Sequence, residues 1–203
     1  MKKTLLILLV TMGTSNVLTA QDKALDKTLA LDLLHRTWEE LEKTVSSLQD
    51  TDLNYTPKSG GWSVMNNLEH LTLVEPVLIM EIKKIINGNA LDTNKDLSSE
   101  DGLIITQITD RTRKVDTPKP FKPMQKNKHK SKDDFLQEIK STRMDLIALL
   151  ENTEADLRHL FGPYPYGEAD AYQQFIIAAA HSYRHVMQIQ EVLNELKPDK
   201  KAK

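Results

Sequence analysis

The sequence predicts an all-α fold, a four-helix bundle with a long crossover connection between its second and third helices. Four segments carry apolar residues at intervals of three and four, the spacing that lines one face of an α-helix. Turn-forming residues separate these segments, and no segment shows a convincing strand pattern. The long second connection need not join antiparallel neighbours, so it allows a crossover.

The first helix is predicted over about residues 24–49, with one apolar face and charged residues on the others. His35 lies beside that face, where a partly buried or surface histidine is favoured over a ligand. Residues 50–61 are rich in Asp, Asn, Pro, Ser and Gly and form a connection. The predicted face consists of Leu34, Trp38, Leu41, Val45 and Leu48.

The second helix is predicted from Ser63 to Gly88, with Ser63 as its N-cap. Asn66 stands where a capping box would carry Glu or Gln, so the reciprocal half of that motif is expected to be weak. Pro76 falls inside the helix and should kink it. Trp62, just before the helix, is expected to pack in the core, with a position in a pocket as the alternative. The apolar face is predicted to consist of Leu71, Val74, Leu78, Ile82 and Ile85.

Residues 89–131 form the least regular region, with a short helix predicted over 101–113 and three prolines between 118 and 123. A connection of this length is usually a functional cover or a mobile segment. The basic cluster at 126–130 is interpreted as a solvated loop, with anion binding as the alternative. The third helix is predicted over 132–152, and a Gly- and Pro-rich break precedes the last helix, which ends near Leu196.

Residues 1–20 have the pattern of a secretory signal peptide: Lys2 and Lys3, an apolar run, and a small-residue exit before Gln21. The apolar run is too short for a spanning helix, although an uncleaved anchor is the alternative. We therefore predict a bundle domain over residues 21–197 and a disordered basic tail over 198–203. The mature protein is expected to be periplasmic or secreted, without a membrane span.

Composition excludes several classes of site and partner. None of the 203 residues is cysteine, which removes disulfides, thiolate nucleophiles and cysteine–metal sites. The formal charge of −2 becomes −4 once the two lysines of the signal are removed, so nucleic acid is not an expected partner. The length fits one domain. A homodimer is one assembly that the sequence leaves open.

Two histidines four residues apart, His181 and His185, lie on the apolar stripe of the last helix. Residues at this spacing sit one above the other, so both imidazoles can reach one metal ion. Unpaired imidazoles on a core face would be costly to desolvate. His70, near the start of the second helix, could join them if the two helices are neighbours. Three imidazoles plus water form a known open metal site.

These motifs resemble those of the DinB-like superfamily of four-helix bundles. The resemblance covers nearly the whole mature chain. It implies that the three histidines bind a divalent metal, most often zinc or nickel. Gln188, one turn past His185, is expected to orient a ligand and not to bind the metal directly. Asn66 departs from the glutamate that the family often has. The matching residues are Gly61-Trp62-Ser63, His70-Leu71, Phe161-Gly162-Pro163, His181, His185 and Gln188.

Several functions remain open at this stage. One is a metal-dependent hydrolase of a small-molecule substrate, and another is a non-catalytic metal-binding or interaction module. A thiol transferase is also implied by the family, but reduced thiols are scarce outside the cytosol. Haem ligation would need His70 as a partner for one of the other histidines. Glu168, Asp170 and Tyr166 are candidate general bases, although capping and packing roles are favoured for each.

Overall fold

The computed structural model describes residues 20–58, 60–123 and 130–196, with side chains from residue 27 onward. The predicted signal peptide, most of the basic cluster and the C-terminal tail lie outside the described residues. The helices are α1 (Ala20–Val45), α2 (Asp50–Leu53), α3 (Val64–Gly88), α4 (Asp101–Thr109), α5 (Lys132–Asn152) and α6 (Ala171–Leu196). Two strands, β1 (Phe161–Tyr164) and β2 (Gly167–Asp170), and two 3-10 turns, Ser98–Glu100 and Lys119–Phe121, complete the described elements.

The four long helices, α1, α3, α5 and α6, form the predicted bundle. Helix α1 packs against α5 and α6, and α3 packs against the same two helices. Contacts near both ends show that α1 runs parallel to α6 and antiparallel to α5. The parallel pair contacts through Ala30–Tyr172 and Glu40–Gln190, and the antiparallel pair through Lys27–Thr153 and Ser46–Lys132.

Helix α3 is antiparallel to α6, because His70 contacts His181 while Asn67 contacts His185. Consequently α3 and α5, which follow one another in the chain, run parallel to each other. A short loop cannot join parallel neighbours end to end, so the chain between them must return along the bundle. Residues 89–131 make this crossover, and α4 within it packs on α6. The predicted fold class is therefore confirmed.

A buried polar layer divides the core of the bundle into two apolar clusters. Each long helix contributes one residue to this layer: Thr37, Glu75, Arg143 and Ser182. Arg143 donates to Glu75 at 2.5 Å, to Thr37 at 2.8 Å and to the Leu34 carbonyl at 3.0 Å. Along each helix the polar residue separates members of the two clusters, as in Leu71 and Ile79, or Ile139 and Leu146.

The segment before α6 corrects the expectation that the chain has no strands. Strands β1 and β2 form an antiparallel hairpin whose register runs from Phe161↔Asp170 to Tyr164↔Gly167. Each strand has only four residues, and its glycines and prolines hide any alternation of apolar and polar side chains. Gly167, with φ of 145°, supplies the backbone conformation that follows the two-residue turn.

Several element boundaries also differ from the sequence-based expectation. Helix α1 ends at Val45, and the short α2 follows as a separate element. Helix α4 ends at Thr109, where the Asp110 side chain accepts from the Thr112 amide and turns the chain. Helix α3 continues through Pro76 to Gly88. On its apolar face, Val74 and Leu78 are only half-buried, and Leu68 and Ile79 are buried in addition to the predicted set.

The start of α3 carries a complete capping box, so the expected weakness of that motif was wrong. The Ser63 hydroxyl accepts from the Asn66 amide at 3.2 Å, and the Asn66 side-chain oxygen accepts from the Ser63 amide at 3.2 Å. Asparagine offers the same amide oxygen as glutamine, on a shorter stem. Among the described helices, none is both long enough and apolar enough to span a membrane.

Candidate metal centre

The structure brings the three predicted histidines together where α3 and α6 face each other. The Nε2 atom of His181 lies 3.3 Å from Nε2 of His70 and 3.2 Å from Nε2 of His185. One ring nitrogen from each residue falls within 4.8 Å of the other two. His70 is 4 % exposed and His185 is 5 % exposed, whereas His181 is partly buried.

The crossover fixes the orientation of His70. Its Nδ1 atom lies 2.7 Å from the backbone carbonyl oxygen of Phe121, in the 3-10 turn Lys119–Phe121. A carbonyl can only accept, so Nδ1 must donate and carry the proton. In a neutral imidazole the other nitrogen, Nε2, is then left with a lone pair directed into the cluster.

An asparagine on α3 fixes the orientation of His185 in the same way. The Nδ1 atom of His185 lies 2.9 Å from the side-chain oxygen of Asn67. The amide nitrogen of Asn67 donates to the Ser63 carbonyl at 2.8 Å, which settles which end of the amide faces the histidine. His185 therefore also carries its proton on Nδ1 and directs an Nε2 lone pair inward.

The nitrogen geometry fits a divalent metal ion. The Nε2 lone pairs of His70 and His185 both point toward Nε2 of His181. Nitrogen atoms in this arrangement repel one another unless a proton or a cation lies between them. Four ligands placed tetrahedrally at 2.0–2.1 Å from zinc are about 3.3 Å from each other. Two of the three separations, those from His181 Nε2 at 3.2 and 3.3 Å, match that spacing. These three residues are therefore placed so that they could hold a metal ion.

Burial keeps the imidazoles neutral. Burial first, and then positive charge on neighbouring side chains, lowers the pKa of His181 to about 3. Burial also lowers the pKa of His185 well below its ordinary value. It lowers the pKa of His70 too, although the Phe121 carbonyl opposes that change. Neutral imidazole is the form of histidine that binds metals.

Comparison with known proteins agrees with this fold. The sequence profile of the DinB superfamily matches residues 33–189. The chain belongs to the DinB superfamily. Among solved structures it is similar to YfiT from Bacillus subtilis, with a TM-score of 0.54 and 15% sequence identity over 91% of this chain and 93% of that one. YfiT is described as a probable metal-dependent hydrolase with an unusual four-helix bundle topology. No curated protein matches the sequence.

An arginine between the two α6 histidines ties the crossover of this DinB chain to the bundle. Arg184 is 8 % exposed and donates to the backbone carbonyls of Ile108 at 3.0 Å, Asp110 at 2.5 Å and Arg113 at 2.7 Å. The first two carbonyls lie at the C-terminal end of α4, which otherwise lacks helical partners for them. Arg184 thereby holds the start of the segment that presents the Phe121 carbonyl to His70.

Trp62 covers the histidine cluster and borders a pocket. Its ring centroid lies 4.8 Å from that of His70 and 6.0 Å from that of His185, with the His185 ring nearly parallel to it. Trp62 is half-buried, so the expectation of a core residue was wrong. The pocket has a volume of about 110 Å³ and is lined by Pro57, Gly61, Trp62, Arg111, Gln188, Glu191, Val192 and Glu195.

The other candidate residues named from the sequence have different surroundings from the three histidines. Gln188 lines the pocket and bonds to none of the three histidines, so it does not orient them as expected. Glu168 pairs with Lys95, and Asp170 caps α6 while pairing with Arg158. Tyr166 and His35 are exposed.

Sequence reasoning missed three residues that organise the cluster. Asn67 could have been noticed as a polar residue one turn before His70 on the buried side of α3. Arg184 is a charged residue between the two histidines and only three positions after His181, which is a comparable signal. The role of Phe121 has no signal in residue types, because its backbone carbonyl makes the contact.

Proposed function

We propose that this protein is an exported, metal-dependent hydrolase that acts on a small molecule. The observation that carries the proposal is the meeting of three histidine Nε2 atoms at metal-ligand spacing, with two of their protons fixed on Nδ1. His70, His181 and His185 would hold the ion, and zinc or nickel suits three imidazoles. Such an ion supplies Lewis acidity, which polarises a substrate carbonyl and makes water a better nucleophile.

The pocket beside Trp62 supports a small polar substrate. Its volume of about 110 Å³ suits only a small molecule or one end of a larger one. Arg111 on its wall donates through Nε and Nη2 to Glu191, at 3.1 and 2.8 Å. The wall therefore carries one positively and one negatively charged side chain. Trp62 lines this pocket, and its indole ring contacts the rings of His70 and His185.

Family membership supports the same reaction class. YfiT, which shares the fold, is described as a probable metal-dependent hydrolase. The export that we propose from residues 1–20 argues against thiol transfer, since low-molecular-weight thiols are kept reduced in the cytosol. Hydrolysis needs no co-substrate other than water, which is present in every compartment.

A non-catalytic metal-binding module is the second candidate, and the position of Trp62 favours it. The pocket is lined by Trp62 and by none of the three histidines, so the indole ring stands between the pocket and the cluster. If that ring stays in place, a bound ion is screened from substrates. Replacing Trp62 with alanine would open the cluster and separate the two candidates.

Metal analysis and turnover on the same samples test the proposal. The protein beginning at Gln21 should bind close to one zinc or nickel ion and hydrolyse at least one member of an ester, amide and lactone panel. His185→Ala should lose both properties. His35→Ala, which removes an exposed histidine of α1, is the matched control and should lose neither. Turnover that persists in a metal-free sample would contradict the proposal, and metal binding without any turnover would favour the module.

A further inference from the structure

Four buried side-chain atoms in the described part of the chain have no hydrogen-bond partner: Glu75 Oε2, Arg143 Nε, Ser182 Oγ and His181 Nδ1. The first three belong to the polar layer, and His181 precedes Ser182 on α6. Native proteins leave few buried polar atoms unpaired, so four together call for a physical explanation.

These atoms belong to side chains that lie close to one another. Glu75 and Arg143 form an ion pair at 2.5 Å, with side chains 2% and 1% exposed. Burial raises the pKa of Glu75, and the adjacent Arg143 and Ser182 side chains oppose that rise. Arg143 is also near enough to His181 to lower the pKa of that imidazole. The side chains that carry the four atoms are therefore neighbours in the bundle.

The hydrogen-bonding capacities of the four atoms complement a water molecule. With a metal ion on Nε2, His181 carries a proton on Nδ1 and is a donor, as is Arg143 Nε–H. Glu75 Oε2 and the Ser182 hydroxyl oxygen are acceptors. A water molecule accepts two hydrogen bonds and donates two, and buried waters typically bond two to four such groups.

We propose that a water molecule bound in the polar layer links His181 Nδ1 to Glu75 and Ser182, which makes these two residues positioning residues for the metal centre. This inference rests on the metal binding proposed above. With this water, every histidine of the cluster has a hydrogen-bond partner on Nδ1, the nitrogen that does not face the metal. The partners are Phe121 for His70, Asn67 for His185 and the bound water for His181. Such partners fix the tautomer and ring orientation of metal-ligating histidines.

Zinc affinity, measured by competition with a chromogenic chelator, tests the positioning role. Glu75→Gln and Ser182→Ala should each weaken zinc binding by about tenfold or more, the usual effect of removing an outer partner. Thr37→Val is the matched control, because it removes a hydroxyl bonded to the same Arg143 but none of the four unpaired atoms. It should leave zinc affinity within about twofold of wild type. Equal losses in all three variants would overturn the inference, since they would indicate only a general loss of stability.

Two structural readouts do not depend on activity. Nitrogen NMR of the zinc-loaded protein should show His181 protonated on Nδ1, and a high-resolution crystal structure should show the water within hydrogen-bond distance of it. A direct contact between His181 Nδ1 and a protein acceptor would overturn the inference. If wild-type protein binds no metal, the proposed function fails, whereas a crystal structure of that metal-free protein still decides whether the water is present.

Discussion

The Nδ1 atom of His70 lies 2.7 Å from the carbonyl oxygen of Phe121, which is 51 positions further along the chain. This contact makes the crossover part of the candidate metal centre. The same segment is held at its start by Arg184, which sits between His181 and His185 on α6. Substitutions that loosen the crossover should therefore change the orientation of the histidines.

Replacing Arg184 with methionine should loosen the crossover and weaken metal binding. The variant leaves three backbone carbonyls without their charged donor and should cost about 3 kcal/mol of unfolding free energy. Limited proteolysis within residues 110–123 should become faster, and zinc affinity should fall. Arg113→Met, at an exposed position of the same segment, is the control and should stay within about 0.5 kcal/mol of wild type. An unchanged rate of proteolysis in Arg184→Met would contradict the inference that Arg184 holds the crossover against α6.

Neighbouring asparagines of α3 should have different effects. Asn67→Ala removes the acceptor that holds His185 and should weaken zinc binding by about 10- to 100-fold. Asn66→Ala removes only half of the capping box and should cost about 1 kcal/mol of unfolding free energy without changing zinc affinity. Chelator competition and urea unfolding measure the two quantities. Equal zinc affinities in the two variants would show that Asn67 does not orient the ligand.

The metal-free protein should lose stability as the pH falls below about 6.5. The pKa of His181 is about 3 in the folded protein, against 6.5 for the ordinary group. As the pH falls, the unfolded chain binds the proton at a higher pH than the folded protein does. The contribution of neutral His181 to the unfolding free energy is therefore complete above pH 6.5 and is lost toward pH 3. At neutral pH it is worth on the order of 4 kcal/mol.

Urea unfolding in a chelator between pH 4 and 7 checks this dependence on pH. His181→Gln, which cannot be protonated, should show a shallower fall in unfolding free energy than wild type. His35→Gln, at an exposed site, should follow the wild-type curve. Parallel curves for wild type and His181→Gln would mean that the folded protein does not keep His181 neutral.

Export is testable from the N-terminus. Expressed with its complete sequence in a bacterium that has a periplasm, the protein should be recovered outside the cytoplasm with Gln21 as its first residue. Leu8→Arg places a charge in the apolar run and should retain the uncleaved chain in the cytoplasm. Thr4→Ser is the conservative control. Mass spectrometry of each fraction identifies the N-terminus, and cytoplasmic wild-type protein of full length would contradict the proposal.

Periodicity predicted the long helices because burial of one face imposes the same spacing on every amphipathic helix. The spacing of His181 and His185 predicted their meeting for the same reason. The crossover was predicted from the length of the second connection. Three features lay beyond this reasoning. The hairpin is too short and too rich in glycine and proline to show a pattern, the Phe121 contact uses a backbone atom, and the place of Trp62 depends on how the loop before α3 packs.

The polar layer has a consequence for the axial register of the bundle. Its members come from all four long helices, and Arg143 donates hydrogen bonds to Glu75, to Thr37 and to the Leu34 carbonyl. Sliding α3 or α5 by a turn would bury a charge without its partner, which is far more costly than a shifted apolar contact. The ion pair therefore holds α3 and α5 in one axial alignment, and the height at which α3 presents His70 depends on residues that would never touch a substrate.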